Sequence, residues 1–186
     1  DDLAAAESAM LEIVMKRGAL RDGQEILDLG CGWGSFSLFA AERLPNARIL
    51  AVSHSKSQRA FIEERRDARG LRNLEVLTCD VEDFDPKRRF DRVVSIEMFE
   101  HLGNHAELFR RIATWLRPEG RLFVHVFAHQ ELAYPFADRG AADWMARRFF
   151  TGGIMPSERL LPSVAAPFVV EEREWIDGIH YAKTAE

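Results

Sequence analysis

Glu97, Glu100 and His101 bring two carboxylates and an imidazole within five residues of a 186-residue chain. Such a group can do acid–base work on a cation. Carboxylates draw in an ammonium, and an imidazole or a carboxylate close to its own pKa can accept the proton that frees a nitrogen lone pair. The cluster follows Arg92–Ile96, a short β-rich run, and so stands at a strand end. Taken alone, His101 could equally be a helix-start histidine bonded to backbone, and Glu100 an acid that only supports its neighbours. His101 and His105 are four apart, but Gly103 and Asn104 lie between them and no third ligand is evident. A metal site is not expected.

A second chemical signal lies upstream, in Ile26-Leu27-Asp28-Leu29-Gly30-Cys31-Gly32-Trp33-Gly34, which Ser35 follows at once. It reads as a buried strand, a glycine turn and the start of a helix. Glycine takes φ > 0 and lets a ligand approach the backbone. The amides that open the helix suit a bound carboxylate or phosphate. A dinucleotide turn spaces its glycines G-x-G-x-x-G. Here the spacing is G-x-G-x-G, with Asp28 two residues before Gly30, which points to S-adenosylmethionine (SAM) rather than NAD. A glycine turn without any ligand is the competing reading.

Elements that would position these groups alternate along the chain. Leu3, Met10, Leu11, Val14 and Met15 recur at helical spacing, and Lys16-Arg17-Gly18 ends that helix. Strands are expected at Glu25–Leu29, Arg48–Ser53, Leu74–Cys79, Arg92–Ile96 and Arg121–Ala128. Between them fall helices from Ser35 to Leu44, from the capping box Ser55-Lys56-Ser57-Gln58 to Gly70, and from Asn104 to Trp115. This predicts an α/β, Rossmann-like, doubly wound and mostly parallel sheet. Ligands in such sheets sit beyond the strand C-termini, where Gly30, Gly32, Ser53, His54, Asp80 and Glu97 all fall.

After Ala128 the rhythm breaks. A helix near Ala141–Phe149, a loop over Phe150–Ser157 and a sixth strand at Pro167–Trp175 are expected. The whole reads as one domain: an N-terminal helical part (1–24), a cofactor-binding core (25–128), and a pocket-shaping insertion with the sixth strand (129–186). Phe127, Tyr134, Phe136, Trp144, Phe149, Phe150 and Tyr181 could wall an apolar pocket and offer π faces to a cation, or could be plain core.

Composition narrows the partners. Apolar residues make up 47% and charged residues 30%, and the net charge of −5 offers no overall basic field for nucleic acid or anionic lipid. Cys31 and Cys79 are too few for a disulfide framework, so a reducing, cytoplasmic setting is expected. No apolar run approaches a membrane span, and the N-terminus lacks the basic start of a secretion signal. A homo-oligomer is left open.

With these residues in view, the chain resembles class I SAM-dependent methyltransferases. Within them it is similar to the group joining cyclopropane fatty acid synthases to plant coclaurine-type N-methyltransferases. The resemblance rests on Leu27-Asp28-Leu29-Gly30-Cys31-Gly32-Trp33-Gly34-Ser35, on Ser53-His54-Ser55-Lys56-Ser57-Gln58, and on Phe90-Asp91-Arg92-Val93-Val94-Ser95-Ile96-Glu97-Met98-Phe99-Glu100-His101. Trp115-Leu116-Arg117-Pro118-Glu119-Gly120, Phe150-Thr151-Gly152-Gly153-Ile154-Met155-Pro156-Ser157 and Gly178-Ile179-His180-Tyr181 extend it over essentially the whole chain. Cyclopropane synthases tend to carry glycine where Glu97 stands, and the N-methyltransferases carry glutamate. Tyr134-Pro135-Phe136, Asp143-Trp144-Met145 and Phe149-Phe150-Thr151 also look more like the N-methyltransferase side.

The resemblance implies SAM as cofactor and methyl transfer to the nitrogen of a hydrophobic small-molecule amine. Methylene transfer to an unsaturated lipid is the alternative, and a SAM-binding fragment without turnover is the third reading. It implies that Gly30, Gly32 and their neighbours Asp28 and Cys31 line the methionine half. Gln58 and the Ser53-His54-Ser55 turn would meet the ribose, Asp80 and Val81 the adenine, and Ile96 the region near the sulfonium. Gln58 could instead merely cap its helix, and Asp80 be a solvated loop acid. Ser53-His54 stands where many methyltransferases grip the ribose with an acid. Glu97 and Glu100 would then orient the amine while His101 or Glu100 takes its proton. His125 and Tyr181 match positions that, with the counterpart of Glu100, hold bicarbonate in cyclopropane synthases, although His125 could be an ordinary hydrogen-bonded core histidine. The resembled proteins are longer at both ends. They add a helical segment over the cofactor and a last strand between strands five and six, so a fragment, a partly ordered protein or an excised domain is expected here, with one side of strand five unpaired.

Overall fold

Five aliphatic runs bounded by glycine, proline or polar turns form one sheet: β1 (Glu25–Leu29), β2 (Arg48–Ser53), β3 (Leu74–Thr78), β4 (Phe90–Ile96) and β5 (Leu116–His125). The computed structural model describes residues 3–137, 140, 144–148, 150 and 152–181. The strand order is β3-β2-β1-β4-β5, with every neighbouring pair parallel. The chain winds outward from β1 through β3, then crosses back to β4. Strand order therefore reverses between β1 and β4, and a crevice opens beyond their C-terminal ends.

Strands covered on both faces read as continuous apolar runs, and β1 shows why. Ile26 faces α1 (Leu3–Arg17), α2 (Ser35–Arg43) and α3 (Lys56–Ala68), packing among Leu11, Val14, Phe36, Ile49 and Ile62. Leu27 and Leu29 face the other way, towards Phe109, Ile112 and Trp115 of α4 (His105–Trp115). Ile26, Leu27 and Leu29 are all no more than 1% exposed. Each contributes about 1.5–3 kcal/mol by burial, which fixes the strand end that carries the glycine turn.

Helix caps follow the sequence in part. Asn104 accepts from the Glu107 amide at 3.1 Å, as its type predicts. Ser55 accepts from the Gln58 amide at 3.4 Å, but the return half of the capping box is absent, because the Gln58 carboxamide turns to the Ser53 hydroxyl instead.

Three expectations are corrected. The fifth strand starts earlier and stops sooner than Arg121–Ala128: Phe90 pairs with Leu116 and Arg92 with Arg121, so Arg117–Gly120 bulges out within β5, and the ladder ends at His125. Pro167–Trp175 is not a strand. No backbone hydrogen bond ties residues 169–176 to the sheet among the described residues, and the stretch is held by ion pairs, Arg121–Glu171, Arg173–Glu158 and Arg17–Glu174. The loop expected over Phe150–Ser157 contains β7 (Ile154–Met155), which pairs antiparallel with β6 (Tyr134–Pro135). The expected helix at Ala141–Phe149 is α5 (Trp144–Arg148), and its remaining residues lie outside the described ones. A short α6 (Leu160–Ser163) follows. No described helix is long and apolar enough to cross a membrane.

Candidate functional site

The glycine turn after β1 is pinned from below. The amides of Gly30 and Cys31 both donate to the Val52 carbonyl, at 3.0 and 2.9 Å, and Gly34 donates to Cys31 at 2.9 Å. All three glycines have positive φ, but for different ends. A Cβ on Gly30 would lie 2.4 Å from Cγ of Met98, and one on Gly34 would lie 2.6 Å from Cγ1 of Ile62. A Cβ on Gly32 would meet nothing within 4 Å. The outer glycines allow close packing, and the middle one presents bare backbone to open space. Helix α2 starts at Gly34 with no side-chain cap, leaving its first amides to a ligand or water.

Around that opening the polar groups are ordered. Asp28 is buried, accepts from the Ser37 hydroxyl, and is pushed up to about 7 by burial, which Ser37 only partly offsets. Burial, reinforced by Asp28, pushes the Cys31 thiol far up. Ser53 is buried, donates to Gln58 and accepts from the Ser55 amide at 3.1 Å. That engages the carboxamide oxygen of Gln58 and leaves its NH2 to donate. Asp80 is exposed and accepts from the Glu82 amide at 2.9 Å, and the Val81 carbonyl holds Arg111 at 2.8 Å. His54 is exposed, and Ile96 is half-buried at the end of β4, paired with His125.

Glu97 follows β4 directly with φ 51, left-handed backbone that favours glycine. Holding a glutamate there costs about 1–2 kcal/mol. Its amide donates to the His125 carbonyl at 2.9 Å. The Tyr181 hydroxyl donates to Glu97 Oε1 at 2.7 Å, and His125 Nε2 stands 3.7 Å from the same oxygen. Glu100, in the 3-10 turn Phe99–His101, is 1% exposed, and its Oε2 meets no donor. Burial pushes Glu100 up to about 8, and the adjoining Glu97 carboxylate adds to the rise. Burial, helped by His54 and opposed by Glu97, holds His101 below the usual imidazole range. Burial and Glu97 raise the Tyr181 phenol, which stays an O–H donor.

The aromatic side chains gather beside His101. Its ring stacks on Phe150 at 5.1 Å, Phe150 on Phe136 at 4.6 Å, and Phe127 meets Phe150 edge-on at 5.2 Å. Tyr134 joins through Phe136 at 6.1 Å. Phe149 and the side chain of Trp144 lie outside what is described. His105 Nε2–H donates to the Phe99 carbonyl at 2.8 Å, and no metal-binding cluster occurs among the described residues.

Two residues escaped sequence reasoning. Met98 lies over Gly30 and links the two strand ends. Gly153 packs against the Glu100 carbonyl so closely that a Cβ would lie 2.5 Å from it, while its own carbonyl accepts from Phe136 at 2.9 Å. The Gly152-Gly153 pair beside Phe150 was the available signal, since glycine often marks close backbone approach.

The mycolic acid cyclopropane synthetase family matches residues 1–186. The (S)-coclaurine N-methyltransferase of Thalictrum flavum subsp. glaucum is 36% identical over 186 residues, 99% of this chain and 52% of that protein. The cyclopropane-fatty-acyl-phospholipid synthase of Escherichia coli (strain K12) is 30% identical over 175 residues, 92% of this chain and 43% of that protein. The crystal structure of coclaurine N-methyltransferase bound to N-methylheliamine and SAH superposes with a TM-score of 0.92 at 33% identity, covering 99% of this chain and 55% of that one. The chain spans about half the length of the curated relatives it matches. With the strand order and the glycine turn, these similarities mean that the chain belongs to the mycolic acid cyclopropane synthetase family, with the class I SAM-dependent methyltransferase fold.

Proposed function

We propose that the protein transfers a methyl group from SAM to the nitrogen of a hydrophobic small-molecule amine, residues 1–186 forming a single cofactor-binding domain. The crevice residues suit SAM: Gly32 has no Cβ to obstruct it, the first amides of α2 are uncapped, and Gln58 has a donor to spare. Gly30, Cys31 and Gly32, with Asp28 behind them, would hold its methionine half, Gln58 and the Ser53–Ser55 turn its ribose, Asp80 and Val81 its adenine, and Ile96 the sulfonium side. SAM supplies an electrophilic methyl group there.

The rest falls to the chain's own side chains. An alkylamine arrives protonated at pH 7. Glu97, anchored by Tyr181, attracts and orients the ammonium, and Glu100 supports it from the buried side. His101, held below the usual imidazole range, accepts the proton that frees the lone pair. Phe127 and Phe150 offer apolar surface and π faces to the cation. Alignment of nitrogen and methyl carries most of the rate. The observation that carries this reading is Glu97, an acid kept in glycine-like backbone and met by the Tyr181 hydroxyl at 2.7 Å. Cys31 and Cys79, both free, fit a reducing compartment.

Methylene transfer to an unsaturated lipid is the second reading, favoured by the likeness to the E. coli synthase. Incubation with SAM and either hydrophobic secondary amines or unsaturated phospholipid, followed by mass spectrometry, tests both. N-methylated amine is the expected product. Cyclopropanated lipid alone would replace the first reading with the second, and SAM binding without either product would leave a binding module.

A further inference from the structure

On the β3 side of the crevice lies a loop with little structure of its own. β3 stops at Thr78, and the Cys79 amide makes a last bond to β2, donating to the Ser53 carbonyl at 3.0 Å. Beyond it the bonds are local. The Asp83 amide donates to the Asp80 carbonyl at 3.1 Å, and the Glu82 amide donates to the Asp80 side chain at 2.9 Å. Both close on Asp80, and neither ties the loop to the sheet.

The tie comes from α4. Arg111 is half-buried there, and its guanidinium donates through Nη1 to the Val81 carbonyl at 2.8 Å and through Nη2 to the Phe84 carbonyl. Its Cζ stands 5.2 Å from the Trp115 ring centroid, and Trp115 meets Phe84 edge-on at 5.1 Å. Phe84, 2% exposed, anchors the far end of the loop in the core. Arg110, the preceding residue, pairs with Glu107 on the helix surface, whereas Arg111 turns its donors to backbone. A planar fork holds two carbonyls three residues apart at once, which a lysine ammonium on its flexible stem does not. The same helix opens just beyond His101, where His105 fixes the Phe99 carbonyl, so α4 braces both sides of the crevice.

We propose that Arg111 is a positioning residue for the cofactor, holding the Asp80–Phe84 loop through its Val81 and Phe84 carbonyls in the shape that receives the adenine ring. The two carbonyl bonds, made to a loop that has only local bonds otherwise, carry this inference. It rests on the placement of adenine at Asp80 and Val81 given above, and not on the identity of the methyl acceptor. A loop already held in its binding shape raises affinity because none of the binding free energy goes into ordering it.

Binding of two ligands tests the role without any acceptor: S-adenosylhomocysteine (SAH), and S-ribosylhomocysteine, which is SAH without its adenine. Arg111→Met keeps an apolar stem beside Trp115 and removes both donors. A loop left in its binding shape about a tenth of the time raises the Kd for SAH about 10-fold, which calorimetry should read. The base-free ligand binds every loop shape alike, so its Kd, read by NMR titration, should change less than about 2-fold. Arg111→Lys should recover part of the SAH affinity, and it carries the same comparison should Arg111→Met fail to fold. SAH affinity unmoved by the substitution overturns the proposal. So does an equal loss for both ligands, which would mean that Arg111 supports the fold as a whole. Asp80→Ala separates the premise from the proposal. If it weakens SAH while Arg111→Met does not, the adenine placement stands and the positioning role fails; if neither weakens SAH, both fail. A loss confined to the adenine-bearing ligand, in a protein that methylates no amine, upholds the positioning role and removes the N-methylation reading.

Discussion

Asp28 and Glu100 are both acids buried beside the crevice and both lie well above the ordinary carboxylate range, yet their surroundings differ. Asp28 sits inside β1 with a hydroxyl donating to it from α2, and the turn above it is locked by backbone bonds to β2. Glu100 sits in a single 3-10 turn, with an oxygen that meets no donor and a second acid beside it. The first acid is satisfied by the fold that surrounds it. The second keeps an oxygen without a donor and a like charge nearby. A satisfied buried acid supports a scaffold, whereas an unsatisfied one next to a like charge is where acid–base chemistry is expected.

Exchanging each acid for its amide should separate the two sites most sharply. Glu97→Gln removes the charge that would face the ammonium, and amine turnover should fall about 100-fold or more. Glu100→Gln should lower turnover by a similar order while leaving the melting temperature unchanged or higher, since it relieves a buried acid. Asp28→Asn should act on SAM affinity, read by calorimetry, with a smaller effect on turnover at saturating SAM. Equal effects at Asp28 and Glu100 would erase the distinction.

Stability against pH tests the same pair. Asp28 rises from 3.8 to about 7, and Glu100 from 4.5 to about 8. In each case the folded state binds the proton more tightly, so stability falls as pH rises between the unfolded and folded values, by up to about 1.4 kcal/mol per pH unit for each group. Denaturant unfolding from pH 5 to pH 8 should show that decline. Asp28→Asn should flatten it up to about pH 7, and Glu100→Gln up to about pH 8.

The glycines sharpen the comparison further. Gly30→Ala brings a Cβ against Met98 at positive φ and should cost about 2–3 kcal/mol of stability. Gly32→Ala meets only the backbone penalty, about 1 kcal/mol, but puts a methyl group into the open crevice. Its larger effect should be on SAM binding.

The cofactor side was legible because local sequence dictates it. Strand, glycine turn and helix are contiguous from Ile26 to Ala41, and the hydrophobic period names their buried faces. Glu97, Glu100 and His101 were legible as a cluster for the same reason. Their division of labour was not. Any such division would draw on the Tyr181 hydroxyl, which reaches Glu97 from 84 residues away, and on a burial of Glu100 that no local pattern reports. The capping-box reading of Ser55–Gln58 went half wrong because the Ser53 hydroxyl competes for the Gln58 side chain. The strand expected at Pro167–Trp175 failed for a related reason: its β-rich composition carries no ladder, since backbone pairing needs a partner that side-chain type alone cannot supply.

That last segment should also give the weakest response to mutation. Arg121 pairs with Glu171 at 2.9 Å, and both side chains are more than half exposed, 51% and 61%. Exposed pairs of this kind are worth 0 to about 1 kcal/mol and are screened by salt. Arg121→Ala should therefore change stability by less than about 0.5 kcal/mol, whereas Asn104→Ala, which uncaps α4 just beyond His101, should cost about 1 kcal/mol. Denaturant unfolding at low and high salt distinguishes them, because only the ion pair should lose its effect as salt rises. A large loss from Arg121→Ala would mean that the segment leading to Tyr181 is anchored by its charges rather than by the phenol that reaches Glu97.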